Sequence, residues 1–370
     1  MMQIVEVRLA SQPYAIEVQP DALSTLGARI RALTGATRAL LIADEAVMHP
    51  HAEYALHSVL SAGIDVTLTT IIAEERRKTL DTVHELYAEM LKAKLDRHSV
   101  VIALGGGIVG DVAGFAAATF LRGIRIVQVP TTLLAMVDAS IGGKTGVNIA
   151  LPGRTELGKN LIGAFWQPAG VIIDPETLRT LEPREFRSGL GECLKHGIIA
   201  DAGLFEFLAE VGPSGASLDT PELADLIAQA ADVKAAIVAE DEREHGRRVL
   251  LNLGHTFAHA IEPIAAMNLH HGEAVAIGLC AAAHTAQSLD RLDAHAAQRI
   301  VDVVEACGLP TRLPIAWSAH ELLDMMRFDK KVKDDTVRLV LPTRIGAAAM
   351  FDDVDPAVIL ETWRAIGADT

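Results

Sequence analysis

The stretch Val100–Phe115, VVIALGGGIVGDVAGF, joins an unbroken apolar run to three glycines and then to residues with helical spacing. A short apolar run bounded by glycine reads as a strand buried on both faces. Gly105, Gly106 and Gly107 allow backbone amides to come close to a pyrophosphate where a helix begins, by about Gly110, and the helix dipole there favours an anion. A strand-to-helix turn that holds no ligand has the same composition. The spacing is also not the GxGxxG of the dinucleotide fingerprint, so the motif by itself leaves the cofactor open.

Working outward, Ala39 to Ala43, Val66 to Ile72 and Arg125 to Val129 repeat the strand pattern with helical stretches between them, which predicts a parallel sheet covered on both faces. The N-terminal MMQIVEVRLASQPYAIEV alternates apolar and polar residues and predicts two strands turning at Gln12 and Pro13, followed by a helix from about Asp21 to Gly35. Beyond about Leu178 the pattern becomes helical, in Pro221 to Glu240, Leu251 to Ile264 and Glu273 to Leu289, with Val337 to Leu341 as the main strand-like exception. The chain has 370 residues, and single cores stop growing at roughly 250 to 300. The expectation is an α/β nucleotide-binding domain with a mainly parallel sheet over residues 1–173, followed by a mainly α-helical domain over residues 174–370. The break falls where GVIID gives way to Pro175.

Half of the residues are apolar, 22% are charged and the formal net charge is −15. That balance describes a folded soluble chain and argues against a protein that neutralises nucleic acid phosphates or lies on anionic lipid. Cys193, Cys280 and Cys307 form no CxxC pair, so neither a disulfide framework nor a thiolate zinc site is indicated and a reducing compartment fits. The N-terminus lacks the basic and apolar blocks of a signal peptide, and apolar runs such as Ala274 to Ala283 are shorter than the roughly 20 residues that cross a bilayer. A cytoplasmic protein with no nucleic acid and no membrane partner is expected.

Four further segments carry chemistry. In Val129–Asn148, VPTTLLAMVDASIGGKTGVN, the GGKT looks like the end of a Walker A loop, but Asp138 stands where that loop needs its first glycine. Lys144 can still offer a point charge to a phosphate, and Thr131 and Thr132 can donate hydroxyl hydrogen bonds. Asp44 at a strand end and Glu75, three residues before Lys78, are acidic positions able to bind ribose hydroxyls, although ordinary surface charges look the same. In SGLGECLKHGII, Glu192 and Lys195 lie one helical turn apart among Leu190, Leu194, Ile198 and Ile199. His255 and His259 are i,i+4 in RRVLLNLGHTFAHAIE, and His271 opens a helix in LHHGEAVAIG with Glu273 in its first turn. Two imidazoles and a carboxylate, His255, His271 and Glu192, would leave a position open on a divalent metal. HExxH is absent because residue 256 is Thr, and an isolated HxxxH is common without a metal.

Taken in order, GGGIVGDVAGFAAATFLRGIR, QVPTTLLAMVDASIGGKTGVN, LGKNLIGAFWQP, FRSGLGECLKHG, LNLGHTFAHAIE and LHHGEAVAIG make the chain resemble the 3-dehydroquinate synthase family of sugar phosphate cyclases from about Glu75 to Gly346. The resemblance implies conversion of 3-deoxy-D-arabino-heptulosonate 7-phosphate to 3-dehydroquinate and phosphate, a lyase step of the shikimate pathway of aromatic amino acid biosynthesis. The steps would be transient oxidation by NAD, phosphate elimination, re-reduction and intramolecular aldol closure. It implies NAD and a divalent metal, Zn or Co, as cofactors, a small sugar phosphate as substrate, and a homodimer.

By the same resemblance, NAD lies over Gly105, Gly106 and Gly107, with Asp44, Glu75, Lys78, Asp111, Thr131, Thr132, Lys144, Lys159 and Thr180 in supporting contacts. Glu192, His255 and His271 are implied as metal ligands. Substrate phosphate falls to Lys144, Asn160, Asn252 and His259, with Arg122 from a neighbouring subunit and Lys330 from the Asp329, Lys330, Lys331 run. Lys195, Lys234 and Arg248 hold the carboxylate and hydroxyls, and Asp138 sits beside the reacting carbons. Three departures stand out: an extra ALPGRTE-like stretch between Lys144 and Lys159, Ala46 where a small polar residue is usual, and Cys193 beside Glu192, read as a buried structural thiol. Another sugar phosphate cyclase, making an inosose or a valiolone, or a metal-dependent polyol dehydrogenase, would share much of this pattern.

Overall fold

The computed structural model describes residues 2–152, 157–212, 220–328 and 337–369. Two compact units divide the chain, Met1–Leu181 with Asp219–Arg243, and Glu182–Leu218 with Glu244–Thr370.

In the first unit, β1 (Gln3–Val7), β2 (Tyr14–Val18), β3 (Arg38–Asp44), β4 (Asp65–Ile71), β5 (Val100–Gly105) and β6 (Arg125–Pro130) share one sheet with a later strand, Gly170–Ile173. The order is β1, β2, Gly170–Ile173, β6, β5, β3, β4, and only the β1–β2 pair is antiparallel. Successive residues of the central strands point to opposite faces, and both faces are dry. Leu40, Ile42, Val101 and Ala103 pack on one side, where α3 (Leu80–Lys92) and α4 (Gly107–Thr119) supply Val83, Leu86, Val109 and Val112. Leu41, Ala43, Ile102 and Leu104 face the other side, against Leu26 and Ile30 of α1 (Leu26–Thr34) and Ala55 and Val59 of α2 (Glu53–Ser61).

Two features of this unit were not expected. Lys144–Ala150 (β7) and Leu157–Phe165 (β8) form an antiparallel hairpin, which makes the Gly170–Ile173 strand β9. Of the ALPGRTE stretch, Ala150 ends β7, and residues 153–156 are outside the described residues. The helix Thr220–Glu240 belongs to this unit as well and packs against β1. The single break expected near Ile173 had put that helix in the second domain; its apolar residues Leu226, Ile227, Ala230 and Ala231 are buried within the first unit instead.

The second unit is mainly helical: α5 (Pro183–Ala200), α6 (Ala202–Val211), then, counting Thr220–Glu240 as α7, α8 (His255–Ile261), α9 (His271–Ser288), α10 (Ala294–Ala306), α11 (Ala319–Phe328) and α12 (Pro356–Ala365). Helix α9 is buried on almost every side from Gly272 to Ala286, as befits a helix apolar all round, and it packs on α5, α8, α10 and α12. Val337–Arg344 and Ala347–Val354 (β10 and β11) form a small antiparallel pair, of which only the first strand was legible in the sequence. Among the described residues no helix is long and apolar enough to cross a membrane.

Candidate active site

The order of the first sheet reverses between β3 and β5, because β4 lies to one side of β3 while β5, β6 and β9 extend to the other. Ligands of open α/β sheets bind beyond the carboxyl ends of the strands at such a reversal. Asp44 ends β3 and Gly105 ends β5, side by side there, since Ala43 pairs with Leu104. Helix α4 begins at Gly107, three residues before the sequence expectation, because extended Gly106 lets Gly107 turn at once. Its N-cap residue, Gly106, has no side chain to cap the first amides. A Cβ at Gly106 would lie 3.2 Å from Thr132, and one at Gly107 would lie 3.0 Å from Ala139, so side chains there would crowd the turn.

Asp44 accepts a hydrogen bond from Ala46 N at 3.2 Å, and Thr132 Oγ1 accepts one from Ala135 N at 3.2 Å. Buried Thr131 Oγ1 has no hydrogen-bond partner among the described residues, an atom that a bound ligand would satisfy. Thr180 is exposed and its hydroxyl meets His51 Nε2 at 2.7 Å.

The hairpin and the loop after β4 meet in one polar network. Lys78, 5% exposed, donates to Asp111 at 2.5 Å and to Asn160 Oδ1 at 2.6 Å. Burial pushes the Asp111 carboxyl above its usual range, and Lys78 pulls it back only in part. Asn148, which the sequence reading missed, donates to Glu75 Oε1 at 2.6 Å and accepts from Asn160 N at 2.9 Å. Glu75, Lys78, Asp111 and Asn160 are therefore brought together, whereas Lys144 at the start of β7 and Lys159 on β8 are exposed. Lys234 of α7 pairs with Asp138 at 2.8 Å. Exposed Arg122 has φ 66° and lies between Leu121 and Gly123, which also have positive φ.

In the second unit three helices converge on one carboxylate. Glu192, fully buried on α5, presents Oε1 to His255 Nε2 at 3.5 Å and to His271 Nε2 at 3.3 Å. The three candidate ligand atoms lie within 4.8 Å of one another, a donor set suited to a divalent cation. The other ring nitrogens are held as well: His255 Nδ1 meets Leu253 O at 3.2 Å, and His271 Nδ1 meets Glu262 Oε2 at 3.4 Å. Burial takes His255 down to about 3. Burial also acts downward on His271, but hydrogen bonds to Glu192 and Glu262 overcome it and raise the ring to about 10. Lys195 is buried and paired with Glu192.

Glycines set this geometry. Gly254 has φ 77°, which interrupts the helix expected from Leu251 to Ile264, and α8 starts at the next residue, His255. A Cβ on Gly278 would stand 2.1 Å from Gly254 O, and one on Gly272 would stand 1.8 Å from Ser188 O. Backbones of α8, α9 and α5 therefore touch directly, next to the three candidate ligands. Arg248 is 1% exposed in a 3-10 turn, Arg247–Asn252, that also carries Asn252, and His259 is exposed one turn after His255. Lys330 lies outside the described residues. Cys193 is fully buried and burial raises its thiol, which fits a structural role.

Comparison with known proteins settles the lineage. The family model described as 3-dehydroquinate synthase N-terminal matches residues 68–188, and that described as 3-dehydroquinate synthase C-terminal matches residues 189–332. The chain belongs to the 3-dehydroquinate synthase family. Among the family's curated members, a 3-dehydroquinate synthase of Nostoc sp. strain PCC 7120 is 43% identical over 96% of this chain and 97% of its own length. One of Synechococcus sp. strain CC9605 is 45% identical over 96% of this chain and 95% of its own length. Of solved structures, a 2-deoxy-scyllo-inosose synthase complexed with carbaglucose-6-phosphate, NAD+ and Co2+ superposes with TM-score 0.87 at 25% identity, covering 98% of this chain and all of its own. ValA, a 2-epi-5-epi-valiolone synthase from Streptomyces hygroscopicus subsp. jinggangensis 5008 with NAD+ and Zn2+ bound, gives 0.85 at 29% identity, covering 95% and 96%.

Proposed function

We propose that this protein converts 3-deoxy-D-arabino-heptulosonate 7-phosphate to 3-dehydroquinate and phosphate as a phosphorus–oxygen lyase that uses NAD and a zinc or cobalt ion. Identity of 43% to curated 3-dehydroquinate synthases across nearly the whole chain supports the substrate. The structural observation that carries the chemistry is the corner where His255 and His271 both turn Nε2 toward buried Glu192.

When bound, NAD supplies a hydride acceptor and donor, and the cation supplies a charge that polarises oxygen beside the carbon to be deprotonated. Glu192, His255 and His271 hold the cation. Gly105, Gly106 and Gly107 receive the pyrophosphate, with Asp44, Glu75, Lys78, Asp111, Thr131, Thr132, Lys144, Lys159 and Thr180 as the surrounding contacts. In the first unit Lys144 and Asn160 are offered to the substrate phosphate, Lys234, paired with Asp138 at 2.8 Å, serves the carboxylate and hydroxyls, and Asp138 sits beside the reacting carbons. In the second, Asn252 and His259 also serve phosphate, while Lys195 and Arg248 serve the carboxylate and hydroxyls. Cationic side chains assigned to phosphate and carboxylate offset locally a net charge of −15. The departing phosphate can itself take up the proton, so these side chains work by positioning and electrostatics. A homodimer, with Arg122 reaching a neighbouring subunit and Lys330 completing the phosphate contacts, is part of the same proposal, as is a cytoplasmic location.

The test measures phosphate release from the seven-carbon keto-acid phosphate, with and without chelator, beside sedoheptulose 7-phosphate. Turnover of the keto-acid phosphate that chelator abolishes is the expected result. Turnover of sedoheptulose 7-phosphate alone would move the chain to a sister cyclase, and steady accumulation of NADH without phosphate would make it a dehydrogenase.

A further inference from the structure

Glu262 ends the segment that carries His255 and His259, at the residue that follows α8, and nothing in the proposed reaction uses it. Its side chain is 18% exposed, and its Oε2 lies 3.4 Å from His271 Nδ1, the nitrogen on the opposite side of the ring from Glu192. His255 solves the same problem differently, with the neutral carbonyl of Leu253 at its Nδ1. A ring whose Nδ1–H is taken by an acceptor is fixed in rotation and must present Nε2 as its lone pair. An ionised acceptor also makes that lone pair a stronger donor than a carbonyl does.

We propose that Glu262 is a positioning residue that orients His271 and strengthens it as a metal ligand, so that the two histidines of the corner are unequal and His271 sets the affinity for the cation. This rests on the reading of Glu192, His255 and His271 as the metal site. Glu262 would touch neither substrate nor cofactor and would act on the cation through the imidazole. His271 is further steadied from its other side: His270 and Glu273 cap the first turn of α9, and Arg184 donates to Glu273 at 2.7 and 2.6 Å. That clamp fixes the start of α9, while Glu192 and Glu262 hold the two nitrogens of the ring.

The experiment titrates Zn2+ and Co2+ into the metal-free full-length protein by competition with a chromophoric chelator and records the visible spectrum of the Co2+ form. Glu262→Ala should weaken metal binding by roughly 10- to 100-fold, the usual cost of removing a ligand's hydrogen-bonding partner. It should shift the Co2+ bands while leaving NAD affinity and the melting curve of the metal-free protein unchanged. Glu262→Gln, which keeps an oxygen for Nδ1–H but no charge, should recover part of the affinity. Glu262→Ala that binds within twofold of the parent with an unshifted spectrum overturns the proposal, as does Glu262→Gln no tighter than Glu262→Ala. Parallel titration of His271→Ala keeps the two levels separate. If that variant binds metal like the parent, the metal site itself has been misread; if it loses metal while Glu262→Ala does not, only the role of Glu262 falls.

Discussion

The glycine turn at Gly105 to Gly107 and the corner at Glu192, His255 and His271 are built in opposite ways. The turn is made by one short piece of chain, a buried strand running straight into α4, and its shape is fixed once those neighbours fold. The corner takes one candidate ligand from each of three helices, and its dimensions are set by backbones touching at Gly272 against Ser188 and at Gly278 against Gly254. A local device fails when its own residues change. An assembled one fails equally when a distant Cβ separates the helices.

The largest way to break the comparison is to remove a candidate ligand outright. Glu192→Gln or His271→Ala should yield protein that keeps its circular dichroism but retains no stoichiometric zinc or cobalt by elemental analysis and shows no turnover. Metal retained in both variants would end the ligand assignment. Gly272→Ala tests the assembled character directly, because its methyl would stand 1.8 Å from the Ser188 carbonyl oxygen. Forcing that contact should cost about 1–3 kcal/mol in denaturant melts and weaken metal binding, with NAD binding held near the parent value. A variant with normal stability and normal metal affinity would refute the dependence on backbone contact.

The smallest effect sharpens the local side. Burial lowers the pKa of His51, against a raising influence from Asp174, so folding favours the neutral ring. The contribution of such a group is complete above its unfolded value near 6.5 and is lost as pH falls through the lower folded value. His51→Gln should therefore flatten the decline in stability from neutral pH into the acid range, measured by denaturation at several pH values. An unchanged slope would remove His51 from the account.

Strand and helix alternation up to Pro130 was legible because both faces of the sheet are buried, which leaves continuous apolar runs between turns. The hairpin β7–β8 was not, since β8 has one exposed side and carries Gly158, Gly163 and polar Lys159 and Asn160, so that it reads as loop. Helix α7 was visible as a helix, but its partner β1 lies more than two hundred residues earlier, and no local pattern announces that pairing. The candidate ligands were suggested by residue type and helical spacing, and the resemblance selected among them. Glu262 and Asn148 went unseen because each works through another side chain; the one available hint was an acidic residue closing the HTFAHAIE segment.

Gly272 and Gly278 are six positions apart on α9, roughly 9 Å along its axis at 1.5 Å per residue. A rod riveted at two such points can neither slide nor spin, because either movement would carry a side-chain-bearing residue into a slot that accepts only hydrogen. Whatever rearrangement accompanies substrate capture, this part of the molecule must travel as a solid block, and catalytic motion has to be sought in segments that lack these rivets.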